Sequence, residues 1–270
     1  MRLVTFGASG ETQAGLLLDD LVVPIADGDV GELLREGPLE RVLAEGEPLP
    51  LDSVRLLPPV LRPGKLICIG LNYRSHAEEA GVEAPETPTF FAKFPNALAA
   101  PGARVPLPAF SEKVDYEAEV AFVIGRSCKD LSEQEALRAV GGYTLLNDLS
   151  ARDYQFTTPQ WMPGKVFDGA APCGPALVTP DEAGPPDAIE IALTLNGEVM
   201  QSASTADLIH SVAALVAYLS KLMTLEPGDL IATGTPAGVG STRDPRVWLK
   251  PGDELVVSSP TLGRLETRLG

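Results

Sequence analysis

What most constrains the fold of this chain is how little helix it can form after residue 65. Only one stretch there, about 205–225, repeats apolar residues at three- and four-residue spacing (Leu208, Val212, Leu215, Leu219, Leu222). The rest breaks into short β-rich runs at 65–70, 119–124, 143–146, 176–178, 189–195, 230–232 and 254–257, bounded by Gly, Pro, Asn or Asp. Asn196-Gly197 predicts a tight hairpin turn between 191–195 and 198–201. The expectation is a mixed α/β, β-rich chain whose one long helix lays its apolar stripe on a sheet.

The first sixty residues read differently. Apolar runs at 15–18 and 21–25 alternate with acidic turns, and a Leu-rich stretch at 30–43 reads as helix. Pro58-Pro59 and Arg62-Pro63-Gly64 then interrupt the chain. We expect a small N-terminal α+β domain over 1–61 and a larger domain over 62–270.

Charge excludes one class of partner. With 37 acidic against 21 basic residues the formal charge is −16, a surface that repels phosphate backbones, so no nucleic-acid binding is expected. Neither a secretory leader nor a membrane-spanning apolar run is apparent. The three cysteines, Cys68, Cys128 and Cys173, are odd in number and never form a C-x-x-C pair, which reads as reduced core residues of a cytoplasmic protein.

Chemistry concentrates in a few places. Glu117 and Glu119 are two apart, so on a strand they share a face about 7 Å apart and can converge on one cation. Asp148, closing an apolar strand, supplies a third oxygen if that strand lies alongside. Oxygen ligands alone suit Mg2+ or Mn2+, with Ca2+ as a crystal substitute, better than Zn2+. The bland alternative is the solvated face of an edge strand. Lys165 sits in the Gly/Pro-framed loop Met162-Pro163-Gly164-Lys165, and Arg152 and Gln155 follow Asp148. At Asn72-Tyr73-Arg74-Ser75-His76-Ala77-Glu78-Glu79, Ser75 is positioned to cap a short helical turn that Gly81 ends, putting His76 and Glu79 on one face. A carboxylate beside an imidazole orients it and raises its basicity, as a base requires; a surface histidine on a charged turn is the alternative. His210, between Leu208 and Val212, reads as structural. The glycine-rich stretch 233–240 offers backbone N–H groups to an anion but lacks the ending of a phosphate loop; a plain turn is the alternative.

Taken in order, these segments resemble the fumarylacetoacetate hydrolase family over 65–268, through Gly70-Leu71-Asn72-Tyr73 with His76 and Glu79, Asp115-Tyr116-Glu117-Ala118-Glu119, Asn147-Asp148-Leu149-Ser150-Ala151-Arg152-Asp153, Gly164-Lys165-Val166-Phe167-Asp168 and Thr233-Gly234-Thr235-Pro236. The resemblance implies a β-roll or β-sandwich catalytic domain, a homodimer, and Mg2+ or Mn2+ held by Glu117, Glu119 and Asp148. It further implies a His76–Glu79 base dyad on a lid, Lys165 as electrophile, and Arg152, Gln155, Thr235 and Tyr73 as substrate contacts. Larger members add an aspartate to the metal ligands before the histidine, where this chain has only Asn72.

The implied reaction follows from charge. A divalent ion, three carboxylates, Lys165 and Arg152 sum to a weakly positive pocket that attracts a small anionic 2-oxo acid. Chelation of its carboxylate and keto oxygens would stabilise the enolate formed at the adjacent carbon. The first expectation is hydrolysis of a C–C bond in an acylpyruvate or fumarylpyruvate-like 2,4-diketo acid, with His76 activating water. The same enolate serves oxaloacetate-like decarboxylation or hydroxymuconate-type isomerisation, and a non-catalytic ligand-binding protein on this fold is the reading from another class.

Overall fold

The computed structural model describes residues 1–8, 10–37, 39 and 46–270. Its β-rich runs form a twelve-stranded sheet and a five-stranded sheet, neither closed into a barrel. The large sheet runs Leu49–Pro50, Leu21–Asp27, Glu11–Leu18, Arg2–Ala8, Ala171–Val178, Val140–Asn147, Ala118–Ile124, Leu230–Ala232, Leu66–Gly70, Thr89–Lys93, with Arg55–Leu57 also paired to Arg2–Ala8 and Leu98–Ala99 to Ala171–Val178. The N-terminal strands join it edge to edge, with Leu3 opposite Leu177. The second sheet orders Glu198–Ser204, Glu190–Leu195, Glu254–Ser259, Gly263–Leu269 and Arg104–Val105.

The centre of the large sheet positions the chemistry. Ala118–Ile124 is buried at every position, as expected of a strand covered on both faces. It pairs antiparallel with Val140–Asn147, Ala118 opposite Asn147, so the start of one strand meets the end of the other. Glu117 precedes the first and Asp148 follows the second, and the Asp148 N–H donates to the Glu117 carbonyl at 2.8 Å. Antiparallel register thus brings together the carboxylates of Glu117 and Asp148, far apart in sequence.

The Asn196-Gly197 turn forms as expected, both residues at positive φ (51° and 86°) with Leu195 opposite Glu198. Two helices differ from expectation. The helix expected over 205–225 occupies only Val212–Leu222. Ser211 caps it by accepting from the Ala214 N–H, and the preceding residues are drawn off by Asn72: Ile209 N–H donates to its carbonyl and His210 N–H to its Oδ1. Leu215, Val216 and Leu219 fill the stripe, each worth about 1.5–3 kcal/mol on burial. In the 30–43 stretch, helix spans Val30–Glu36 under an Asp29–Glu32 capping box; 38 and 40–43 lie outside the described residues. Cys68, Cys128 and Cys173 are all buried free thiols. Among the described residues no helix is long and apolar enough to cross a membrane.

Candidate metal and proton-transfer site

Glu117, Glu119 and Asp148 converge as the strand register requires: one oxygen from each lies within 4.8 Å of the others, and all three side chains are buried. Lys165 Nζ bridges two of them, 2.7 Å from Glu117 Oε2 and 2.8 Å from Asp148 Oδ2. Arg152 Nη1 lies 2.7 Å from Glu117 Oε1 and 2.9 Å from Gln155 Oε1. Burial pushes the Glu117 carboxyl up, but Lys165 and then Arg152 outweigh it and hold the group down at about 2. Burial pushes the Lys165 ammonium down; Asp148 and Glu117 overcome that, so it stays a charged donor.

Glu119 is the exception. Burial, then the charges of Asp148 and Glu117, raise its carboxyl well above the usual range, although Gly234 N–H donates to Oε2 at 2.7 Å. Three buried carboxylates sharing so little space are short of positive charge, and a divalent cation is the hard, oxygen-seeking partner that relieves this. Asp148 Oδ1 is met by one buried ammonium and keeps a second lone pair for coordination. The residues therefore fit a hard divalent ion.

Two partners of this cluster escaped the sequence reading. Lys93 is 2% exposed, its Nζ 2.7 Å from Asp148 Oδ1 and within hydrogen-bond reach of the Leu149, Lys165 and Ala170 carbonyls. It pairs Asp148 with a second buried cation beside Lys165. The only sequence signal is its inward position, two after buried Phe91 on Thr89–Lys93. Asp115, fully buried, takes Arg152 Nε on Oδ2 at 2.8 Å and backbone N–H groups from Tyr116, Gly240 and Ser241. Asp115, Glu117, Glu119 and Asp148 against Lys93, Lys165 and Arg152 leaves one net negative charge, which a divalent ion converts to one positive.

The glycine-rich stretch does present N–H groups to anions, and the anions are the protein's own carboxylates: Gly234 to Glu119, Gly238 to Glu79 (2.9 Å), Gly240 to Asp115 (2.7 Å). Two glycines are required by space. A Cβ on Gly238, at φ 101°, would lie 2.2 Å from the Met200 carbonyl, and one on Gly240 would lie 2.1 Å from that of Val247.

His76 and Glu79 sit on the helix Arg74–Ala80, which Gly81 ends in the left-handed conformation. His76 Nδ1 is 3.3 Å from Glu79 Oε2. Burial raises the Glu79 carboxyl, but hydrogen bonds from His76, Gly238 and Thr242 hold it below its ordinary value, so it is an acceptor-only carboxylate. In the neutral imidazole Nδ1 then carries the shared proton and Nε2 the lone pair. Ser75 does not cap this helix as expected; its N–H and hydroxyl both donate to Asp207, which does that work from another segment.

One cavity of about 460 Å³ brings His76, Glu117, Glu119, Arg152, Gln155 and Lys165 together, with Thr235, Ser241 and Thr242 also at its wall. Phe91, Phe156 and Trp161 make an apolar side; the Phe91 ring centroid lies 5.1 Å from Lys165 Nζ and 6.0 Å from that of Trp161. Tyr73 is not part of that wall. It is fully buried, its backbone bridged to Leu208, which corrects its expected place as a substrate contact. Asn72 is likewise no metal ligand, since Nδ2 donates to the Thr233 and His210 carbonyls while Oδ1 accepts from His210 N–H. His210 is structural, as expected, with Nε2 2.9 Å from the Pro85 carbonyl.

Comparison with known proteins agrees with this geometry. Residues 65–270 match the family model "Fumarylacetoacetate (FAA) hydrolase C-terminal", and 1–59 match "Rv2993c-like, N-terminal". The chain is 43% identical over 228 residues to the mitochondrial oxaloacetate tautomerase FAHD2A of Bos taurus, covering 83% of this chain and 73% of that one. Among solved structures, 5-carboxymethyl-2-hydroxymuconate delta-isomerase from Mycobacterium smegmatis superposes with a TM-score of 0.86 at 35% identity, covering 100% of this chain and 99% of that one. Fumarylacetoacetate hydrolase from Exiguobacterium antarcticum gives 0.88 at 33% identity, with the same coverage. The chain belongs to the fumarylacetoacetate hydrolase family.

Proposed function

We propose that this enzyme is a divalent-metal-dependent tautomerase or isomerase that moves a proton along the skeleton of a small anionic 2-oxo acid of the oxaloacetate type, rather than a hydrolase that splits an acylpyruvate. The observation that carries the reading is one cavity lined both by Glu117 and Glu119 of a buried, oxygen-only carboxylate cluster and by His76 of a histidine–carboxylate dyad. Of the three similar proteins named above, the tautomerase and the isomerase support proton transfer over the hydrolysis first expected from the sequence, while the third carries the name of a hydrolase.

Mg2+ or Mn2+ held by Glu117, Glu119 and Asp148 would supply Lewis-acid polarisation of the keto and carboxylate oxygens, lowering the cost of removing the adjacent C–H proton. The rest falls to the chain. Lys165, kept protonated by Asp148 and Glu117, offers a fixed cation to the developing oxyanion. Arg152 holds Glu117 and Gln155 in place. His76 Nε2 takes the proton from carbon and returns it to oxygen or to another carbon, so no water is consumed and no bond between carbons breaks. Glu79 stabilises the imidazolium between the two transfers.

The test follows the decay of enol-oxaloacetate by ultraviolet absorbance, with Mg2+, with Mn2+ and with chelator, beside pyruvate release from an acylpyruvate. We expect metal-dependent tautomerisation that falls about 10²–10⁴-fold in His76→Ala. Pyruvate release outpacing every tautomerisation tried would restore hydrolysis. The homodimer implied by the resemblance is part of the same proposal and is read by sedimentation.

A further inference from the structure

Gln201 lies in the second sheet, on Glu198–Ser204, and is 2% exposed. Its amide is fully committed. Oε1 accepts the Ala118 N–H at 2.9 Å, and Nε2 donates to the Pro236 carbonyl at 2.8 Å and to Thr235 Oγ1 at 2.9 Å. Turning the amide over would set its NH2 against one N–H and its oxygen against one C=O, so this orientation is the only one the surroundings satisfy.

That fixes the direction of the Thr235 hydroxyl. Because Oγ1 accepts from Gln201, its own proton is left over, and no protein acceptor among the described residues takes it. Thr235 is at the cavity wall. We propose that Gln201 is a positioning residue that makes Thr235 a hydrogen-bond donor into the cavity, aimed at an oxygen of the anionic substrate; this rests on the functional reading above. The same amide holds the backbone at Ala118, between the two glutamates of the cluster. An acceptor in its place would turn the hydroxyl round and leave two oxygens facing each other.

The probe is oxalate, a small dicarboxylate, titrated calorimetrically in the presence of Mg2+ so that binding is read without turnover. Thr235→Val should weaken oxalate roughly tenfold to a hundredfold, the range for a hydrogen bond to a charged group. Thr235→Ser should stay within about twofold of the unchanged protein. Gln201→Glu, which offers Thr235 an acceptor, should weaken oxalate about as much as Thr235→Val does. In the Thr235→Val background, adding Gln201→Glu should change affinity by less than about twofold, since there is no hydroxyl left to turn. Gln201→Met, which neither donates nor accepts strongly, should be milder than Gln201→Glu and keeps the test available if the glutamate variant fails to fold.

Equal losses from Gln201→Glu with and without the hydroxyl would overturn the inference, because the residue would then act through the strand at Ala118. So would a methionine variant as impaired as Thr235→Val. If the unchanged protein binds no oxalate when Mg2+ is present, the functional reading fails and takes this inference with it.

Discussion

The floor of the cavity and its lid solve the same problem, holding charged groups at fixed distances, in opposite ways. On the floor, four carboxylates and three cations, gathered around the ends of the central strands Ala118–Ile124 and Val140–Asn147, are tied to one another repeatedly; Glu117 alone meets Lys165 and Arg152. On the other side, the seven-residue helix Arg74–Ala80 carries the dyad, whose side chains are 13% and 24% exposed, and is tied at Ser75 to Asp207 and at Glu79 to Gly238 N–H and the Thr242 side chain. A floor built by redundancy resists loss of any one contact geometrically but responds strongly to charge. The helix is held by hydrogen bonds nearer the solvent, so its charges are partly screened by water.

Changing the charge of the floor gives the largest expected effect. Glu119→Gln removes one of three ligand carboxylates while keeping size and the Gly234 hydrogen bond. Calorimetry should show Mg2+ and Mn2+ affinity down by a hundredfold or more, with turnover lost in parallel. In chelator the melting temperature should hold or rise, since a repelled carboxylate has gone. A fall in the chelated protein's melting temperature would contradict the crowding inferred for Glu119.

Next in size is Asp115→Asn, which tests whether floor and lid are joined. Asp115 holds Arg152 on one side and the Gly240 and Ser241 N–H groups on the other, two residues beyond Gly238 and its bond to Glu79. The asparagine leaves a buried guanidinium short of one partner, a change that typically costs about 3–5 kcal/mol. Denaturant titration should show this loss. Hydrogen exchange should show faster opening of 74–80 as well, whereas unchanged lid exchange would separate the two regions.

The sequence made the floor more legible than its supports. Glu117 and Glu119 could be paired because strand alternation puts them on one face, and Asp148 because it ends an apolar run, both local patterns. The dyad was legible through helical spacing. Lys93 and Gln201 were not, because burial and pairing across sheets decide their roles; Gln201 meets Ala118 from 83 positions away. The long helix was overdrawn for a related reason. Leu208 fits its periodicity, yet Asn72 pairs with the backbone at Ile209 and His210, and the helix cannot start until Ser211. The fold of Tyr73 inward follows from the same local bridge to Leu208.

Acidity should sharpen the contrast with a smaller effect, about tenfold in metal affinity per pH unit wherever Glu119 holds its proton. Its carboxyl is raised in the folded chain, so the unfolded chain loses that proton first. The metal-free fold therefore loses stability as pH rises from about 4.3 toward the folded value of Glu119. Glu117, held at about 2, acts in a separate window: its stabilisation is present above about 4.3 and is lost as pH falls toward 2. Titrating Mg2+ in buffers of different ionisation enthalpy should show protons released on binding, fewer as pH rises. Binding with no proton release at any pH would mean that Glu119 is already ionised in the metal-free protein.

The lid gives the smallest effect. Glu79 is lowered despite partial burial, so its contribution is constant above the ordinary carboxylate value and declines only as pH falls through its folded one. From pH 5 to 8, hydrogen exchange of 74–80, corrected for its intrinsic pH dependence, should stay flat while the stability of the metal-free floor changes. Because Glu79 is the acceptor both for His76 and for Gly238, protonating it weakens the dyad and the loop contact at once. Opening that began well above pH 5 would rule out the Glu79 carboxylate as the group whose protonation releases the helix.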